Sequence, residues 1–480
     1  MQSATSPALH GRAQQIYALP GGCCDPSTAK GAIIASKPRC RASVLWIVLF
    51  ASSLLAVAGC AALGQHGAIN PVATPAPAMF DPLLVRRGEL LAVLGDCAGC
   101  HTTRDGAPYA GGVPIATPFG TIHGTNITPE PEAGIGAWSE AAFRRALREG
   151  VSRDGHLLYP AFPYDHFTHL TDADIGALYA FVMTRDPVSS QPPANRLPFP
   201  MQFRSLIAFW NMLYLHEGPL PQQESRSAEF NRGAYLVESL AHCASCHSPR
   251  NALGAERQDA YLAGGDAEGW HATALNDRSP SPVPWTAQAL AEYLRTGLAA
   301  DHAIAAGPMR DVVYNLSHAD AAEVQAIATY IHAQMTPLTP QGQAREAASR
   351  RRAAQESLAA AQPSAAAAAA DEAVLALGAA VYATSCAACH DLGRELSSNT
   401  ALRLPLAVAL HLPDPRNLIH ITRRGIEPPD GGPGRWMPPF EGSFTDEQFA
   451  ALVTWLRRQG TDAPPWPDVL RTVKESGNAS

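Results

Sequence analysis

Charge is scarce in this sequence, and what there is leans acidic. Only 16% of the 480 residues are charged, and beyond residue 59 the chain holds 42 Asp and Glu against 31 Lys and Arg, a net charge of −11. A surface of that sign excludes a nucleic-acid partner. The chain has no glycine-rich phosphate loop, no His-Glu-x-x-His and no Ser/His/Asp elbow, so phosphate cradling, zinc-protease and triad chemistry have no motif to rest on. After Cys60, cysteine occurs only in three pentapeptides, which leaves none downstream for a disulfide. The largely apolar run from Leu206 to Leu215 is too short to span a bilayer.

What is present is 46% hydrophobic residues and 41 prolines, a composition that suits small helical domains joined by long loops. A chain of 480 residues has room for about three of them. The three pentapeptides agree with that count. Cys97 to His101, Cys243 to His247 and Cys386 to His390 each read Cys-x-x-Cys-His, and they start 146 and then 143 residues apart. Two sulfurs three residues apart can add to the two vinyl groups of one haem while the adjoining imidazole ligates its iron. A zinc site or a redox dithiol also uses Cys-x-x-Cys, but zinc needs a further ligand pair and no other cysteine lies near any copy. The histidine that follows in all three decides for haem, bound through Cys97 and Cys100, Cys243 and Cys246, and Cys386 and Cys389, with His101, His247 and His390 on iron.

Each motif is preceded by a short helical pattern with a glycine eight to ten residues ahead of the first cysteine: Gly88, Gly233 and Gly378. That spacing predicts a close helix crossing. The partner helix is read from Thr171, Ser317 and Thr445, each a hydroxyl three residues before an acid or amide, as in a capping box. Apolar residues follow at helical spacing, among them Ile175 and Leu178, Val324 and Ile327, and Phe449 and Leu452. The unit is helix, haem motif, long loop, capped helix. Trp138 and Trp285 open matching amphipathic segments and are expected in the core, with a bond to a haem propionate as the alternative. His123, His156, His302 and His411 are expected on the surface or in loops.

Lys37, Arg39 and Arg41 precede an uncharged stretch from Ala42 to Ala58, the pattern of a secretory signal, and Val57-Ala58-Gly59-Cys60 resembles a bacterial lipobox. An uncleaved membrane anchor or plain cleavage are the other readings. Haem attachment outside the cytoplasmic membrane agrees with export. The expected organisation is a signal or anchor over 1–59, a tether over 60–80, domains over 81–190, 229–338 and 372–462, linkers over 191–228 and 339–371, and a tail over 463–480. The second linker ends in an alanine run and is expected to let the third domain move.

The three units resemble class I cytochrome c domains, and their succession is similar to the tri-haem cytochrome c subunit of membrane-bound bacterial dehydrogenases. The resemblance covers residues from about 80 to 462 and includes Gly120 to Ser139 and Leu158 to Phe167. The latter stretch is most like subunits that accompany molybdenum hydroxylases; alcohol and gluconate dehydrogenase subunits usually have Met where this chain has Phe162. The resemblance implies an all-α fold of three tandem domains with long loops, and Met309 and Met437 as sixth iron ligands. These stand 62 and 47 residues after their histidines. The corresponding first position, 61 residues after His101, is Phe162, which cannot ligate iron. His166 is the first candidate to replace it, followed by His169 and Met183; a five-coordinate iron is the remaining alternative.

The resemblance further implies three covalently bound haem c groups, a catalytic dehydrogenase as partner, attachment to the periplasmic side of the cytoplasmic membrane, and ubiquinone or a terminal oxidase as acceptor. The chain itself is then a non-catalytic relay. Two rivals remain: a subunit of a PQQ or flavin dehydrogenase, and a peroxidase- or oxidase-like haem enzyme using an open first iron.

Overall fold

A computed structural model describes residues 66–336, 369–391, 402–427 and 437–477, with a few positions between 340 and 351. The signal or anchor stretch and most of the alanine-rich linker lie outside the described residues. Among the described residues no helix is long and apolar enough to cross a membrane.

The first repeat runs through α1 (Pro82–Leu94), α2 (Cys97–His101), α3 (Glu140–Glu149) and α4 (Asp172–Met183). A linker helix, α5 (Ser205–Tyr214), leads to the second repeat, which comprises α6 (Ala228–Tyr235), α7 (Ala244–His247), α8 (Ala287–Thr296), α9 (Pro308–His318) and α10 (Ala321–Met335). The third has α11 (Ala369–Ser385), α12 (Ala387–His390), α13 (Arg416–Arg424), α14 (Asp446–Gly460) and α15 (Val469–Gly477). Three two-stranded antiparallel hairpins interrupt the expected all-α pattern: Pro114–Thr117 with Gly120–His123, Gly265–Ala267 with Trp270–Ala272, and Leu298–Ala299 with Ala303–Ile304. They shape the long loops and leave the cores helical.

The three helix pairs cross where the glycines predict. A methyl group on Gly88 would fall inside the van der Waals shell of the Ala177 carbonyl oxygen; Gly233 meets Ala326 and Gly378 meets Ala451 in the same way. Absence of a side chain thus lets α1 lie on α4, α6 on α10 and α11 on α14, backbone against backbone. Local chemistry fixes the ends. Asp81 accepts from the Leu83 N–H ahead of a proline that needs no donor partner at the first turn. Thr171 caps α4, and Thr445 with Gln448 forms a reciprocal capping box on α14. In the second repeat the cap is Asp320, not Ser317. Helix α9 continues through Ser317 to His318, so the residue three places on becomes the first that can take an extended backbone and receive the Ala322 N–H.

Repeats one and two share one continuous core. Leu91, Ile175, Phe181 and Met183 pack with Leu236, Ile327, Tyr330 and Met335 in a single buried cluster. The third repeat has its own, around Tyr382, Phe449, Leu452 and Trp455. Trp466, Val469 and Val473 complete it, so the segment expected as a tail is part of the third core. Arg423 ties this helix down, donating to the Val473 carbonyl while bridging Glu441 and Asp446. The third repeat contacts the second directly. Asn417 pairs with both backbone groups of His271 at 2.8 Å, Arg416 bridges Asp266 at 3.0 Å, and Trp270 packs on His420.

Two of the histidines expected on the surface or in loops lie in loops but are buried. His302 stacks on Trp285 at 3.8 Å and bonds Ser281, and His411 sits between Pro405 and Thr461. Trp285 is thereby a core residue, as expected.

Candidate haem sites

Each Cys-x-x-Cys-His segment forms a single helical turn, so its two sulfurs and its imidazole emerge within one turn of backbone. The residue before the first cysteine is left-handed in two copies, Asp96 at φ 47° and His242 at φ 37°, which breaks the preceding helix and turns the motif across it.

The imidazoles are oriented from behind. His101 Nδ1–H donates to the Thr125 carbonyl at 2.5 Å, and His247 Nδ1–H donates to the Thr273 carbonyl at 2.6 Å. A proton fixed on Nδ1 leaves the Nε2 lone pair for iron. Both carbonyls are themselves held. Two residues on, Ile127 and Leu275 donate their N–H to the carbonyls of Tyr109 and Leu262, each of which has a positive φ. Gly111 and Gly264 then donate to the carbonyls of His101 and His247. The two glycines lie at φ 78° and 91°, where a Cβ would be strained. They belong to an Ala-Gly-Gly run that recurs at 110–112 and 263–265, the sequence signal that could have located this clamp. Asn126 adds to it in the first repeat, donating to the carbonyls of Val188 and Ser190. In the third repeat His390 Nδ1 is buried with no hydrogen-bond partner among the described residues.

Electrostatics favour neutral groups here. Burial pulls His101, His247 and His390 below the usual imidazole value, against the carbonyls, so each ring is available as a neutral donor. Burial also pushes the Cys97 and Cys243 thiols up to about 12 and Cys386 to about 11. Among the described residues no cation lowers the Cys97, Cys243 or Cys386 thiol towards the thiolate that zinc and dithiol chemistry need, and at Cys246 burial outweighs the nearby Arg250 charge. A neutral thioether to a porphyrin carries no such cost, so the donor set fits covalent haem.

Met309 occupies the first turn of α9, partly buried against the shared core, behind Gly307 at φ 56°, where an added Cβ would run into the Trp270 ring. Met437 is fixed by a reciprocal backbone pair with Ile426, both bonds 2.9 Å. Phe162 packs edge-on against Phe167. His166 is buried with both ring nitrogens engaged, Nδ1 with the Glu238 carbonyl at 2.9 Å and Nε2 with the Glu256 carboxylate at 2.8 Å. His169 Nδ1 donates to the Gly218 carbonyl, and Met183 is wholly buried in the shared core.

The first two motifs lie side by side. Asn315 of α9 donates to the Asp96 carboxylate at 2.6 Å, and the Leu240 side chain packs on Gly95. The residues that introduce Cys97 and Cys243 are therefore in contact across the repeat boundary.

Oriented imidazoles next to paired, neutral cysteine sulfurs on a helical fold define a c-type cytochrome, with haem c bound covalently. Residues 373–456 match the family described as cytochrome c oxidase, cbb3-type, subunit III. The chain is 40% identical over 438 residues to a nicotinate dehydrogenase subunit of Pseudomonas putida, covering 90% of this chain and 35% of that protein, so it spans about a third of that relative's length. It is 36% identical to the fructose dehydrogenase cytochrome subunit of Gluconobacter japonicus, covering 84% of this chain and 85% of that one. It is also 36% identical to the gluconate 2-dehydrogenase cytochrome c subunit of Pantoea cypripedii, covering 78% and 85%. The chain belongs to the electron-transferring cytochrome c subunits of dehydrogenases.

Proposed function

We propose that the chain carries three covalently bound haem c groups in three tandem class I cytochrome c domains, and that it relays electrons from a periplasmic dehydrogenase towards ubiquinone or a terminal oxidase. The observation that carries the reading is the threefold recurrence of Cys-x-x-Cys-His beside a glycine-mediated helix crossing. Bound haem supplies reversible one-electron chemistry at its iron. His101, His247 and His390 would each ligate a haem iron, and Met309 and Met437 would supply a further ligand in repeats two and three. For the first motif, ligation by His166 requires it to release Glu238 or Glu256. Contact between the first two motifs favours a short path from one to the other.

The donor is a dehydrogenase of the molybdenum-hydroxylase type, supported by the stretch Leu158 to Phe167 and by the match to the nicotinate dehydrogenase protein over most of this chain. A PQQ or flavin dehydrogenase is the second reading, favoured by relatives that match over most of their own length. The N-terminal tether attaches the protein to the periplasmic face of the membrane. Helix α5 turns Leu206, Phe209, Met212 and Leu213 outward while Ile207 and Trp210 are buried, an apolar face suited to the catalytic subunit.

Two measurements test the proposal. Haem content per chain is expected to be three, and the haems are expected to be reduced when the co-purifying dehydrogenase is given its substrate. A chain with fewer haems, or one that accepts electrons from no dehydrogenase encoded beside it, contradicts it.

A further inference from the structure

A second cluster of ligand-type side chains lies at the boundary of repeats one and two. Asp165 and His166 sit on the short helical turn Tyr164–Phe167 of the first repeat, and Glu256 follows the second haem motif. One ligand atom from each lies within 4.8 Å of the others. The cluster borders a cavity of about 180 Å³, also lined by His169, Glu238 and Tyr261. The side chains of His166 and Glu256 are only 10% and 6% exposed, so this is not a solvated acidic patch.

The His166 ring is set as a metal ligand's ring is set. Its Nδ1–H donates to the Glu238 carbonyl, which directs Nε2 at Glu256, with Asp165 beside them. A backbone carbonyl behind the ring holds His101 and His247 for iron in the same way. The nearby guanidinium of Arg250 does not fill the site, because its head donates to the carbonyls of Gly254 and Ser245. The Asp165 and Glu256 carboxylates both face the imidazole, and the Arg250 charge acts on them from beside the cluster. A divalent ion bound to neutral imidazole and both carboxylates leaves the cluster neutral.

We propose that Asp165, His166 Nε2 and Glu256 bind a divalent transition-metal ion that braces the first repeat against the second. One nitrogen and two carboxylate oxygens suit Zn²⁺, with water completing four-coordination. The ion bridges segments ninety residues apart in sequence. This site excludes His166 from the first haem, and the test separates the two assignments.

The haem-loaded protein is stripped with a chelator, then titrated with Zn²⁺ by calorimetry, beside Glu256→Gln, Asp165→Asn and His166→Gln. The expected result is one saturating equivalent in the unmodified protein, a raised thermal midpoint on binding, and a loss of affinity of at least about tenfold in each variant. His166→Gln is expected to leave the visible and near-infrared haem bands unchanged. Failure of the unmodified protein to take up one equivalent overturns the proposal whether or not the variants fold. So do undiminished binding in the variants and a changed haem spectrum in His166→Gln, the last of which assigns His166 to iron.

Discussion

Two glycines on one helix pair make opposite predictions. Gly88 lies where α1 meets the Ala177 backbone, whereas the nearest atom to a methyl group on Gly176 of α4 is Glu140 Oε1 at 3.6 Å, an ordinary contact. Alanine gains about 0.5–1 kcal/mol over glycine in a helix, and at Gly176 that gain is unopposed. At Gly88 the methyl must push α4 away from α1. Such overpacking typically costs about 1–3 kcal/mol, and here it acts on rigid backbone, at the upper end. The net expectation is about 2 kcal/mol of destabilisation for Gly88→Ala. Repeats one and two share a core and unfold together, so the larger-domain scaling of about 2–4 °C per kcal/mol applies. Gly88→Ala should lower the thermal midpoint by about 4–8 °C, and Gly176→Ala should raise it by about 1–4 °C. The assay is far-ultraviolet dichroism of the haem-loaded protein, with the Soret band as a second probe. A Gly88→Ala midpoint at or above that of the unmodified chain would refute the crossing.

Asp96 offers a pH test. Burial, opposed by the Asn315 hydrogen bond, raises its carboxyl from 3.8 to about 6. A raised acid stabilises the fold below the unfolded value and loses that contribution as pH climbs through the folded one, so stability should fall by up to about 2–3 kcal/mol between pH 4 and 6.5. Asp96→Asn should remove that slope in midpoint-against-pH curves; an unchanged slope would assign it elsewhere. Met437→Leu should abolish the methionine-to-iron near-infrared band of one haem and lower its potential, as read by redox titration. An intact set of bands would remove Met437 as a ligand.

Signals carried by a few neighbouring residues are legible in the sequence. The haem motifs, the crossing glycines and the caps at Thr171 and Thr445 depend on chemistry within a turn or two. The second cap is misread from sequence because Ser317 and Asp320 are both good cap residues, and the continuation of α9 chooses between them. The carbonyls of Thr125 and Thr273 cannot be read, because every residue has one and only the fold selects which faces a histidine. Apolar spacing shows that Ile175 and Ile327 are buried, but not that they enter the same core. The burial of His302 likewise depends on Trp285, seventeen residues away and brought onto it by a loop.

Because two repeats close over one core and the third over another, the chain is not equally severable at its two linkers. A cut between 191 and 228 divides a single apolar interior and would leave each half with an open flank. A cut between 339 and 371 crosses no core, and exposes the polar docking groups, the Trp270 face packed on His420 and the small Val283 and Leu406 contact. The protein is built as a two-motif body with a one-motif attachment. Exchange, loss or replacement of the attachment is open to it without refolding the rest.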